Sequence, residues 1–207
     1  MVYEVADKFS GSQELTVKSC DVTYAANAEF SIEEVEDRQE YTLKAILLDE
    51  DGEVVTYNTF DFEVFEDRAP EVEQVQENKL PVEFIKLEAG EYEIAGEHVV
   101  VKPCGMLPVH FVSRKTGHQA VAEFRERDFS YWYDKEADMI TPLCAETFMA
   151  EGFTPILTGG NQNEQGEWRQ ELTCAEKVYE GKRYVITTVD FRCENPVAER
   201  FMQNLYK

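Results

Sequence analysis

The chain lacks any run of 18 apolar residues, so no segment reads as a membrane span. Its first residues, MVYEVADK, carry neither a basic stretch nor an apolar one and do not read as a secretory signal. Cysteine is sparse and irregular: five residues, Cys20, Cys104, Cys144, Cys174 and Cys193, with no C-x-x-C pair. That spacing excludes a zinc ribbon and a thioredoxin-type motif, and an odd number of thiols fits a reducing cytoplasm. Basic residues are scarce, 20 Lys and Arg against 42 Asp and Glu, for a formal charge of −22. The phosphate backbone of nucleic acids and anionic membrane surfaces both call for clustered Lys and Arg, so neither partner is expected. A phosphate-binding G-x-x-x-x-G-K-[ST] loop, a G-x-S-x-G elbow and an H-E-x-x-H helix are all absent.

What is present suffices for a folded protein. The 207 residues are 43% apolar and 30% charged, enough to bury a core without disulfides or metals. The charge is uneven. Residues 1–80 hold 21 acids and 6 bases, and residues 81–207 hold 21 acids and 14 bases. Between them the stretch EDRAPEVEQVQENKLP, Glu66 to Pro81, has two prolines and no long apolar run. It reads as a linker, giving a first module over 1–66, a linker over 67–81 and a second domain over 82–207.

The first module has a β pattern. Glu14 to Ser19 alternates roughly, and Tyr41 to Leu48 places Tyr41, Leu43 and Ala45 on one face. Asp49-Glu50-Asp51-Gly52 is a hairpin turn signal, and in the return strand Glu53 to Phe65 the apolar Phe60, Phe62 and Val64 alternate with Asp61 and Glu63. Short strands at this spacing predict an immunoglobulin-like β-sandwich, truncated because roughly 100 residues make a full one.

The second domain reads as mixed. Strands are expected over Glu83 to Leu87, Glu91 to Val101 with a turn at Gly96, Thr154 to Thr158, Leu172 to Tyr179 and Arg183 to Val189, the last two joined at Glu180-Gly181. Short helices are expected over Ala120 to Phe124 and Ala145 to Glu151. Asn195-Pro196 opens a final helix with Asn at the cap and Pro in the first turn, and Val197, Phe201 and Leu205 form its apolar stripe. Strand–helix mixing predicts an α/β domain.

Three groups of residues invite a chemical reading. The run Phe129-Ser130-Tyr131-Trp132-Tyr133-Asp134 could offer Trp132 and Tyr133 as a stacking platform for sugar C–H faces. It would serve equally as a strand with Phe129, Tyr131 and Tyr133 on one face and Trp132 on the other, in the core. The loop Thr158 to Trp168 (TGGNQNEQGEW) could present Asn161 and Trp168 to sugar hydroxyls, or be a plain surface hairpin loop. His110, Arg114 and His118 stand close in sequence to Cys104, and Cys with His can form a nucleophile pair. However, Lys102-Pro103-Cys104-Gly105-Met106 lacks the G-x-C-x-G turn that exposes such a nucleophile. An eight-residue spacing of two His matches no zinc-ligand pattern, so structural roles are expected and no metal or cofactor is. A glycosidase needs two carboxylates about 5–10 Å apart, and among 42 acids none stands out.

The segments LEAGEYEIAGEHVVVKPCGM, HFVSRKTGH, DFSYWYDKEADMITPL, FTPILTGGN and ENPVAERF resemble the C-terminal region of bacterial glycoside hydrolases of family 2. NTFDFEVFE, Asn58 to Glu66, similarly resembles the close of the β-sandwich module before it. The resemblance is strongest over residues 90–205 and rests on long phrases rather than on a catalytic motif. It implies a parent enzyme with a jelly roll, an immunoglobulin-like sandwich, a TIM barrel bearing two catalytic glutamates, and accessory domains. A barrel alone takes about 250 residues, so this chain would be a non-catalytic C-terminal fragment. The resemblance further implies a flavodoxin- or amidotransferase-like α/β fold for the second domain and a cytoplasmic, bacterial setting. The expected partner is the catalytic barrel of the same parent chain, braced alone or within an oligomer, with an aromatic lent to carbohydrate binding. The alternatives are a self-standing carbohydrate-binding module and a small amidotransferase-like enzyme using Cys104.

Overall fold

The computed structural model describes residues 1–5, 8–17, 22–25, 29–66, 80–104, 112–113, 116–129, 132–134, 139–141, 144–162, 165–191 and 195–207. The chain divides into two compact units, Met1–Glu71 and Val72–Lys207. Of the linker expected over 67–81, only Leu80 and Pro81 lie within the described residues.

In the first unit β1 (Val2–Val5), β2 (Phe9–Ser12), β3 (Arg38–Leu48) and β4 (Val54–Phe65) form one antiparallel sheet in the order β2-β1-β3-β4. The β3–β4 hairpin follows its sequence pattern. Gly52 takes φ 83° in the turn, and the Asp49 carboxylate accepts the N–H groups of Asp51 and Glu53, closing a tight Asx turn. Tyr41 faces Phe62 across the ladder and stacks on it at 5.8 Å. Val5, Val35 and Tyr41 centre a small core that gathers Phe9, Phe30, Ile32, Leu43, Phe62 and Val64. At the far end Arg38 clasps Glu63 through two guanidinium nitrogens, Nε at 2.9 Å, while its guanidinium lies 4.9 Å over the Phe65 ring.

Two expectations need correction here. A sandwich buries its apolar face against a second sheet, but the described residues of this unit hold a single sheet with loop residues Phe30, Ile32 and Val35 on its apolar face. The strand expected at Glu14 to Ser19 is irregular over 14–17, and Lys18 and Ser19 lie outside the described residues.

The second unit contains β5 (Val82–Lys86), β6 (Gly90–Ile94), β7 (Glu97–Pro103), β8 (Val112–Ser113), β9 (Trp132–Asp134), β10 (Met139–Thr141), β11 (Glu146–Ala150), β12 (Thr154–Gln162), β13 (Trp168–Tyr179), β14 (Lys182–Thr187) and α1 (Pro196–Tyr206). Eight strands join one sheet, ordered β5-β14-β13-β11-β7-β6, with β12 on the other edge of β13 and β8 beyond it; β9 and β10 pair separately. Ala95-Gly96 and Glu180-Gly181 have positive φ at both central residues, the backbone that two-residue hairpins need. The core sets Val99, Val101, Phe148, Ala175 and Ile186 against Leu87 and Phe153. Each large side chain buried there contributes about 1.5–3 kcal/mol.

The α/β expectation fails. α1 is the one α-helix among the described residues, and every other regular element is a strand or a short 3-10 turn. A flavodoxin- or amidotransferase-like fold needs helices on both faces of a mostly parallel sheet. Here β5–β14 is the sole parallel pair among the described ladders. The helix expected over Ala145 to Glu151 is β11. Its residues read as helix formers, but β7 pairs with it from Glu146 to Ala150 and β13 meets it at Phe148, so sheet pairing overrides local propensity. Ala120 to Phe124 holds only a 3-10 turn, Gln119–Val121, because no longer amphipathic stripe supports it. α1 itself forms as expected: the Asn195 Oδ1 accepts the Val197 N–H at 2.8 Å, and Val197, Phe201 and Leu205 are buried. No helix among the described residues is long and apolar enough to cross a membrane.

Candidate functional site

An open cavity of about 520 Å³ lies in the second unit between the 3-10 turn, β13, β14 and the end of α1. His118, Glu176, Arg183, Glu123 and Asn204 supply its polar lining. The turn that carries His118 is pinned first. Gly117 takes φ 71°, and the Thr116 hydroxyl donates to the Ile156 carbonyl on β12 at 2.9 Å. His118 then caps the 3-10 turn, its Nδ1 accepting the Ala120 N–H at 3.1 Å. That contact puts the ring proton on Nε2, which donates to Glu176 Oε1 at 2.9 Å. Arg183 holds the other carboxylate oxygen, Nε at 2.6 Å, and its remaining amine donates to the Leu205 carbonyl of α1 at 2.8 Å. Burial by itself pushes the Glu176 carboxyl up. The hydrogen bonds from His118 and Arg183, with the Arg183 charge, outweigh it and hold the carboxyl below its ordinary range.

This arrangement is a clasp rather than a catalytic group. A general base needs a free ring nitrogen, and both nitrogens of His118 are occupied. Among the described residues no Ser, Thr or Cys lines the cavity to serve as nucleophile. The Glu–His–Arg set ties β13, β14, the turn and α1 together. Sequence reading singled out His118 but neither Glu176 nor Arg183. They stand 58 and 65 positions downstream of it and come near it only through the β13–β14 hairpin.

The other expected residues do not join this cavity. Trp132 is not a platform: it is 2% exposed, its indole N–H donates to the Asp128 carbonyl at 2.8 Å, and it sits 5.8 Å from Phe191. Phe129 is also fully buried, because the 3-10 turn Glu126–Phe129 places it on the same side as Trp132. Both belong to an aromatic cluster beneath α1 with Phe124 and Phe201, so the alternation that put them on opposite faces is corrected too. Tyr133 lies in β9 opposite Ile140, and its side chain is outside the described residues, as is His110.

Asn161 is buried within β12, not presented by a loop, since β12 runs through Gln162. Its amide donates to the Thr147 hydroxyl at 2.8 Å and the Pro103 carbonyl at 3.2 Å. Thr147 passes the chain on to Glu171 at 2.6 Å. Cys104 is buried at the end of β7, its N–H donating to the Ala145 carbonyl at 2.9 Å. The neighbouring Cys144 thiol is pushed up to about 12 by burial and by Cys104, against Lys86 and Thr188, and burial raises Cys174 to about 12 as well. Thiols so protonated do not attack substrates. Among the described residues no group of three His, Cys, Asp or Glu is placed to hold a metal ion.

Among the described candidates Trp168 keeps an exposed position, at 64%. It opens β13 opposite Gln162, and its six-membered ring stands 3.6 Å from where a Cβ at Gly160 would be. The missing side chain at 160 gives the indole a backbone floor on one side. Gln170, next on the same side of the strand, is held by the Thr158 hydroxyl at 2.7 Å. No family model, curated protein or solved structure matches this chain.

Proposed function

We propose that this chain is a non-catalytic accessory module of a larger carbohydrate-degrading enzyme of the family 2 kind, bracing that enzyme's catalytic barrel and lending Trp168 to sugar binding. The observation that supports it is the exposed Trp168 indole over Gly160, beside the amides of Gln162 and Gln170. A flat apolar ring with hydrogen-bonding amides at its rim suits a sugar, which offers C–H groups on one face and hydroxyls around its edge. A non-catalytic role agrees with the His118 and Asn161 side chains being engaged within the fold and with Cys104 being buried.

The test is a thermal-shift panel of mono- and oligosaccharides on the wild type and on Trp168→Ala. A ligand at 100 times its Kd adds about 2.7 kcal/mol, a rise of roughly 2–4 °C at this size. The proposal expects such a rise with at least one sugar and its loss in Trp168→Ala at unchanged unliganded stability. A rise that survives the substitution, or no rise with any sugar, overturns the role given to Trp168.

A further inference from the structure

The first unit carries an open strand edge. Within its sheet β4 pairs with β3, and among the described residues no strand pairs with its other side. The Glu66 N–H donates to the Asp37 carbonyl at 2.8 Å, which makes Arg38 and Phe65 a non-hydrogen-bonded pair. Counting back along the ladder, the N–H and C=O groups of Tyr57, Thr59 and Asp61 point away from β3. Thr59 confirms the count, since its N–H takes the neighbouring Asn58 side-chain oxygen at 2.9 Å instead of a strand partner. Val54 through Phe60 (VVTYNTF) holds no charge and no proline, and every residue of it is exposed, Tyr57 at 65% and Phe60 at 66%. Proteins ordinarily blunt such an edge with Lys, Pro or a bulge. The one register shift of the β3–β4 ladder leaves Val55 as the extra residue at the start of this stretch, and the pairing is regular from Thr56 through Asp61.

Acids bracket the open stretch. Asp49, Glu50, Asp51 and Glu53 precede it and Asp61 follows it; the Asp61 carboxylate accepts the Thr42 hydroxyl at 2.7 Å. Lys44, the nearby cation, is shared with Glu4 at 3.7 Å. A second copy of this chain would bring its own acids to the edge. Two-fold pairing about Tyr57 sets Glu53 against Asp61, and about Asn58 sets Glu53 against Glu63, like charges directly opposite.

We propose that the β4 edge docks an extended segment of a partner protein by strand addition, a segment with an uncharged β-branched or aromatic centre and Lys or Arg at its ends. The outward backbone groups of Tyr57, Thr59 and Asp61 give the hydrogen bonds, the Thr59 N–H exchanging the Asn58 oxygen for the incoming strand, and Glu53 and Asp61 select the basic flanks.

The probe is a synthetic peptide of alternating Val and Thr with two Lys at each end, titrated onto the full chain by fluorescence anisotropy, beside the same peptide flanked by Glu. Thr59→Pro removes an N–H that lies outside the β3–β4 ladder, and proline is tolerated where a strand's N–H faces outward. The Lys-flanked peptide is expected to bind at least tenfold tighter than the Glu-flanked one, with affinity falling as salt rises. Thr59→Pro is expected to weaken it at least tenfold with the thermal midpoint retained. Asp61→Lys, an exposed change that keeps the proposal testable if Thr59→Pro misfolds, is expected to narrow the preference between flanks. Equal affinity for the two peptides, or an unchanged preference in Asp61→Lys, overturns the proposal. So does sedimentation showing the chain already dimeric and rendered monomeric by Thr59→Pro, which would make a second copy the occupant.

Discussion

Glu176 and His118, 58 positions apart in the chain, meet at 2.9 Å, and the histidine reaches that contact only because its other nitrogen is already spent on the Ala120 N–H. The carboxylate is thereby a keystone for four elements, with Arg183 on its second oxygen and the end of α1 beyond.

Because its neighbours hold the Glu176 carboxyl below the ordinary range in the folded chain, its contribution is complete above the unfolded pKa of about 4.3. It is lost as pH falls through the lower folded value. Glu176→Gln should cost about 1–2 kcal/mol near neutrality, at the modest end for a partly exposed charged bond. Thermal midpoints of wild type and variant, measured down from pH 7, should converge below pH 4. A constant gap would contradict the assignment.

Asn161 and Thr147 form a buried polar chain ending on Glu171. Thr147→Val leaves the Asn161 amide and the Glu171 oxygen short of a partner and should cost about 1–3 kcal/mol. Urea denaturation would read it as a lower midpoint at unchanged slope.

The two tryptophans should separate cleanly. Trp132→Ala opens a void beside Phe191 and should cost about 3–5 kcal/mol. Trp168→Ala, at an exposed strand start, should stay within about 0.5 kcal/mol. Acrylamide quenching of each single-tryptophan variant gives the matching optical test: the chain keeping Trp168 should quench readily, the chain keeping Trp132 hardly at all.

Cys144 and Cys174, with thiols raised to about 12, should resist iodoacetamide in the native chain at pH 8 and react only once it is unfolded. Peptide mapping after a timed pulse would show either residue labelled early if its burial were wrong.

The elements that could be read in the sequence are those whose signals are local. The Asp49–Gly52 turn with Phe60, Phe62 and Val64 alternating defines the β3–β4 hairpin, and Asn195-Pro196 with a four-residue apolar repeat defines α1. β11 was not legible, because Glu146–Ala150 is made a strand by its neighbours rather than by its own residues. The same holds for the site. His118 stands out as one of three histidines, but Glu176 is one of 42 acids, and only the hairpin between β13 and β14 brings it and Arg183 together. The aromatic run around Trp132 is conspicuous in sequence for the reason it is hidden in the fold: bulky rings fill the space beneath α1.

The parallel pairing of β5 with β14 has a bearing on how the molecule is made. Val82 lies beside Arg183, so β5 emerges from the ribosome roughly one hundred residues before the strand it must join. At about 5–20 residues per second, the segment VEFIK waits on the order of five to twenty seconds without the strand it pairs with. It carries Glu83 and Lys86, charges that keep this short strand soluble while it waits. Closure of the second unit is therefore a late event, timed by the arrival of Lys182–Thr187.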